Sequence, residues 1–141
     1  MAIKMRVLYA TSKKKMINIA TFIKQRYELS QNSVDRVPPA YSCDKERIVV
    51  LALAGKNDVD DALRRFCVEL TRDRAANVAL MVDGTEVFAN NVKEILKNSG
   101  TNVIDDVLYI KSGLPFMASV KPEDEALVTD WIDNKVINNL K

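Results

Sequence analysis

Two rhythms of apolar residues run along this chain, and the points where one gives way to the other divide it into elements. Residues 6 to 10 or 11 open the series. Val-Leu-Tyr-Ala is a continuous apolar run, the pattern of a strand covered on both faces. Over residues 14–29 the period lengthens: Met16, Ile19, Ala20, Ile23 and Tyr27 recur at three-to-four spacing and predict a helix with one buried stripe. Residues 33–37 predict a short second strand, with Val34 and Val37 as its apolar part and Pro38 and Pro39 as its stop. The next stretch has room for little more than one helical turn. A stunted crossover is expected there, with Tyr41 and Cys43 packed beneath it.

Residues 48–54, Ile-Val-Val-Leu-Ala-Leu-Ala, form the most hydrophobic run and predict a central strand. A turn over residues 55–58 leads into a second helix capped by Asn57 or Asp58. Asp60 and Asp61 lie in its first turn, and its buried stripe is Val59, Ala62, Leu63, Phe66, Cys67 and Leu70. Residues 78–82 predict a fourth strand, ended by Asp83 and Gly84. A loop over residues 83–90 then precedes a third helix, with Val92, Ile95 and Leu96 inward and Gly100 as its stop. Residues 103–110 predict a fifth strand interrupted by Asp105 and Asp106, which suits an edge strand or a local irregularity. Pro122, followed by Glu123, Asp124 and Glu125, opens a last helix with Leu127, Trp131, Val136 and Leu140 on its apolar side.

Strands alternating with helices in this way predict an α/β fold, a parallel sheet with helices on both faces. Right-handed crossovers leave few topologies, and the common five-stranded one has strand order 2-1-3-4-5. A chain of 141 residues, 48% apolar, with no internal repeat or linker, reads as a single domain over 1–141.

Charge and composition then narrow the function. A net charge of +2 and a pI near 8.5 are too mild to suggest nucleic acid. The apolar residues near the start are too few for the core of a secretion signal, and no stretch reaches the length of a membrane span. A cytoplasmic protein with Cys43 and Cys67 as free thiols is therefore expected, Cys67 serving as a small core residue. The absence of histidine removes Ser–His and Cys–His pairs and imidazole metal sites, and no metal site is expected.

The strand order places a crevice at the carboxyl ends of strands 1 and 3, where the winding direction changes. Three loops meet there, and they supply the candidate ligand-binding residues. The first holds Thr11, Ser12, Lys13, Lys14, Lys15 and Met16; the second, Ala54, Gly55, Lys56 and Asn57; the third, Asp83, Gly84, Thr85 and Phe88. Phe88 reads either as a ring platform or as a core residue under the next helix, and Phe116 as another possible wall. Three lysines at a helix start are electrostatically disfavoured unless an anion binds beside them. A receiver domain lacks support, because Thr11-Ser12-Lys13 and Ala54-Gly55 stand where it needs acids. A Rossmann dinucleotide site lacks its glycines in the first turn.

The chain resembles the flavodoxin family across nearly its whole length. The resemblance is carried by Val-Leu-Tyr-Ala-Thr in the first strand, Ile19 to Phe22 in the first helix, the apolar third strand, the step Val-Ala-Leu-Met-Val-Asp-Gly-Thr, and the closing Pro-Glu-Asp-Glu-Ala-Leu-Val-Thr-Asp-Trp-Ile helix. It implies a flavodoxin-like three-layer sandwich and an FMN-binding electron carrier. The FMN phosphate would sit in the first loop and its ring between the second and third, and a redox partner protein would receive the electrons. On that pattern Thr11 keeps the first hydroxyl position. Lys13 and Met16 replace threonines, and Lys14 replaces the glycine. No side chain need be catalytic, so the chain reads as an electron carrier or accessory protein rather than a stand-alone enzyme. The alternative is a flavin-free version of the fold, acting as an anion-binding or protein-interaction and regulatory module.

Overall fold

The structure, a computed structural model, describes residues 3–114 and 116–141; Met1 and Ala2, weighed above as part of a targeting signal, and Pro115 lie outside them. Strands β1 (Met5–Ala10), β2 (Val34–Arg36), β3 (Ile48–Gly55) and β4 (Asn77–Gly84) pair in parallel in the order β2-β1-β3-β4. Beyond β4 lie two short strands, β5 (Asn102–Val103) and β6 (Leu108–Tyr109), both parallel to it. The connecting helices are α1 (Lys14–Arg26), α2 (Asp61–Glu69), α3 (Glu86–Ser99) and α4 (Pro122–Asp130). A π-helical turn, Trp131–Val136, and a 3-10 turn, Ile137–Asn139, continue α4. The expected α/β architecture and strand order are present.

Alternation along the strands divides the core in two. Val7, Ile48, Val50, Ala52, Ala79 and Met81 face α1 and the last helix, with Met16, Ile19, Ile23, Trp131 and Ile132 packed on them. Leu8, Val49, Leu51, Leu53, Leu80 and Val82 face α2 and α3, with Leu63, Cys67, Phe88, Val92 and Leu96 packed on them. Burial on both faces is why the central strands read as unbroken apolar runs.

Four details depart from the sequence pattern. The crossover from β2 to β3 contains no helix; Cys43 packs into the core, whereas Tyr41 is 66% exposed. Helix α2 is capped by Asp60, whose Oδ1 accepts the Leu63 N–H at 2.9 Å, and not by Asn57 or Asp58. The fifth strand is split. From Val78 to Met81, β4 advances three residues while the chain beside it advances five, from Val103 to Leu108. The surplus bulges outward, with Lys93 Nζ bonded to the Asp105 carbonyl at 2.7 Å and Trp131 Nε1 to that of Asp106 at 3.0 Å. In the last helix Val128, Trp131, Ile132 and Val136 are buried while Leu127 is exposed, so the stripe starts one residue later than its pattern suggested.

Candidate functional site

The turn after β1 is short because Thr11 closes it: its Oγ1 accepts the Lys13 N–H at 3.1 Å. Lys13 occupies the N-cap of α1 in an extended conformation, provides no side-chain cap, and no acid follows in the first turn. By contrast, α2 has Asp60, α3 has Thr85, and α4 has Asp124 bonded to the Lys121 N–H at 2.9 Å. The positive end of α1 is thus left without the side-chain partner that the other helices possess. Ser12 and Lys14 are exposed there, while Met16 is fully buried in the core.

The other two lysines turn toward the loop that follows β6. Lys13 Nζ donates to the Gly113 carbonyl at 2.7 Å and lies 3.5 Å from Asp83 Oδ2, which also accepts the Ser112 hydroxyl. Lys15 Nζ sits 3.1 Å from Asp124 Oδ2, and Asn18 Nδ2 donates to the Ala118 carbonyl at 2.8 Å. Burial raises the pKa of the Asp124 carboxyl, but the Lys121 N–H and the Lys15 ammonium outweigh it and hold the group below the usual carboxylate range. Together these contacts hold Ser112, Gly113, Ala118 and Asp124 across the turn.

The second and third loops meet more closely than their residue types suggest. Ala54 pairs with Asp83 and Gly55 with Gly84, so β3 and β4 stay in register to their last residues. A Cβ on Gly84 would fall 1.7 Å from the Gly55 carbonyl oxygen, and one on Gly55 would fall 2.4 Å from the Phe88 ring. Only glycine permits this approach. The expected loop over 83–90 is largely absent, because Thr85 caps α3 and the helix begins at Glu86. Thr85 N–H donates to the Gly55 carbonyl at 3.2 Å, its hydroxyl to the Lys56 carbonyl, and Asn91 Nδ2 to the Asn57 carbonyl at 2.8 Å. Phe88 is 2% exposed and takes the core position of its two readings, so it offers no face to a ligand.

These contacts bear on FMN. A ring between the second and third loops would need a slot, and the two loops are instead joined directly by those three hydrogen bonds. At the phosphate end there is no glycine, Met16 is in the core, and the Asp83 carboxylate lies beside the Lys13 ammonium. The residues present do not fit FMN in this arrangement. Among the described residues no cluster of three or more metal-ligating side chains forms, and no helix is long and apolar enough to cross a membrane.

A cavity of about 360 Å³ sits between the β1–α1 turn, the end of β2 and the start of α2, lined by Thr11, Ser12, Arg36, Asp60 and Leu63. Of the candidate residues only Thr11 and Ser12 reach it. Arg36 was missed, although β2 lies next to β1 in the expected order and Arg36 is paired with Tyr9. Tyr109, at the end of β6, was also missed as an exposed ring; burial raises the pKa of its phenol, with Glu86 adding to the effect.

No protein-family model matches the chain, and no curated protein matches it in sequence. Solved structures do. A short-chain flavodoxin associated with a non-canonical PDU bacterial microcompartment superposes with a TM-score of 0.65 at 13% identity, covering 98% of this chain and 99% of that one. The oxidised Flavodoxin 2 of Bacillus cereus superposes with a TM-score of 0.59 at 15% identity, covering 96% and 99%. At these identities the likeness is one of fold, and it makes the chain a flavodoxin-like α/β protein.

Proposed function

We propose that this flavodoxin-like chain works without flavin, as a module that receives an anionic group of a partner protein at the β1–α1 turn. The observation that carries this reading is the direct joining of the second and third loops through Thr85 and Asn91, which leaves no slot for an isoalloxazine ring. The anion is suggested by the turn itself. The uncapped start of α1 carries roughly half a positive charge; Ser12 and Arg36 line the cavity beside it, Lys14 is exposed in its first turn, and Asp60 in the same lining is engaged by the Leu63 N–H. A phosphate or carboxylate held there would accept backbone N–H groups and the Lys14 ammonium without breaking the Lys13 or Lys15 contacts. Free, buried Cys43 and Cys67 agree with a reducing, cytoplasmic setting.

A second reading, an FMN-bound electron carrier serving a redox partner, is favoured by the same uncapped helix start. It requires the bonds from Thr85 and Asn91 to break and the loops to part. Titrating FMN into the purified protein separates the two. Flavin fluorescence should remain unquenched into the high micromolar range, while a phosphate-bearing or acidic peptide should bind and lose affinity in Lys14→Ala and Arg36→Ala. Saturable quenching by FMN, weakened in Lys14→Ala far more than binding of riboflavin is, would overturn the flavin-free reading.

A further inference from the structure

A larger cavity, of about 490 Å³, opens at the other edge of the sheet, where β1 begins. Its polar lining includes Lys4, Arg6, Ser30, Asn32 and Glu46. Arg6 is the second residue of the otherwise apolar β1, between Met5 and Val7, and is only 7% exposed. Its terminal nitrogens donate to the carbonyls of Tyr41, at 2.5 Å, and Asn32, at 3.1 Å. The first of these nitrogens also donates to Cys43 Sγ at 3.9 Å; all three acceptors are neutral, and they engage only part of a guanidinium with five N–H donors. Among the described residues no carboxylate lies within 4 Å of it. Glu46 lines the same cavity, is 8% exposed, and is likewise without an ion-pair partner among the described residues. Burial raises the pKa of its carboxyl, partly offset by Lys4 and Arg6.

Two opposite charges, each on a residue less than a tenth exposed, therefore face one open space; Arg6 and Lys4 offset Glu46 only in part, and no ion pair closes between them. Retaining buried charges is costly unless something pairs with them. A simple carboxylate would satisfy Arg6 but meet Glu46 and Glu28; a simple cation would satisfy Glu46 but meet Arg6 and Lys4. A molecule bearing both signs meets neither objection, and Ile3, Met5 and Leu29 give it an apolar wall. The volume lies within the range of about 300–1,000 Å³ usual for small-molecule sites. We propose that this cavity binds a small zwitterion of the α-amino-acid type, its carboxylate on Arg6, its ammonium toward Glu46 and its side chain against Met5 and Leu29.

Calorimetric titration of the full chain with each of the proteinogenic amino acids tests this. At least one should bind saturably at millimolar concentration or below. Its amide and its N-acetyl derivative, each lacking one charge, should bind at least about tenfold more weakly. Glu46→Gln should weaken the amino acid to a similar degree, and Arg6→Lys should do the same through loss of the planar fork. Because Arg6 also holds two backbone carbonyls, Glu46→Gln carries the test if Arg6→Lys does not fold. Absence of binding by every amino acid, or affinity unchanged in Glu46→Gln, would overturn the proposal. The anion site at the β1–α1 turn is untouched by either variant, so the two readings fail separately.

Discussion

At the carboxyl-terminal edge of the sheet Lys13 and Lys15 meet Asp83 and Asp124, and the loops after β3 and β4 are bonded to each other. At the amino-terminal edge Arg6 and Glu46 are buried, and neither has an ionic partner among the described residues. The first arrangement consists of partly exposed pairs, each worth little, which together fix the position of a loop. The second keeps charges in a costly place with no ion pair closed between them, which points to a ligand more strongly than the expected crevice does. Fold topology selects the first edge as the binding site; the distribution of satisfied groups draws attention to both.

The largest test of this contrast is Gly84→Val. Its side chain would collide with the Gly55 carbonyl, so β3 and β4 must part at their ends. A loss of about 3 kcal/mol is expected from the urea midpoint. A loss under about 1 kcal/mol would mean that the loops are not tightly closed and can part to admit a flavin ring. Thr85→Ala comes next. It removes the α3 cap and the bond to the Lys56 carbonyl and should cost about 1–2 kcal/mol, with Thr85→Ser recovering most of it.

The core beneath both edges should respond to alkali instead. Burial pushes the Cys67 thiol up to about 12 from an ordinary value of 9.0. The folded state thus favours the neutral thiol, and the unfolded chain ionises first. The stability this group contributes is complete below pH 9 and is lost as pH rises toward 12, at a slope approaching about 1.4 kcal/mol per pH unit. Cys67→Ala should flatten that part of the pH–stability curve. An unchanged slope would show that the thiol is more accessible than its packing between β3, β4 and α2 implies.

The strands were legible because burial on both faces leaves few polar residues in them, as the runs in β1, β3 and β4 show. The start of α2 was not, since Asn57, Asp58 and Asp60 are equally good caps by type. Burial of both Leu63 and Cys67 selects Asp60. Thr85 did carry a cap signal, directly before Glu86, but the strand-ending Asp83-Gly84 favoured a loop. The contact of Lys13 with Asp83 joins residues far apart in sequence, and no local pattern announces it. Arg6 is equally silent: a polar residue in a strand reads as solvent-facing until the crossover that covers it is known.

The smallest expected effect concerns the lysine pairs themselves. Lys13 and Asp83 keep side-chain exposures of 30% and 20%, and Lys15 and Asp124 keep 15% and 19%, so water and salt reach both pairs. Lys15→Ala should cost no more than about 1 kcal/mol, and the cost should shrink at high salt. Lys13→Ala removes the hydrogen bond to Gly113 as well and should loosen the chain around Ser112 and Gly113, read as faster amide exchange there with little change in melting temperature. If Lys13→Ala instead lowers stability as much as Gly84→Val, the carboxyl-terminal edge is part of the folding core rather than a lightly fastened surface. The contrast between the two edges would then have to be drawn from Arg6 and Glu46 alone.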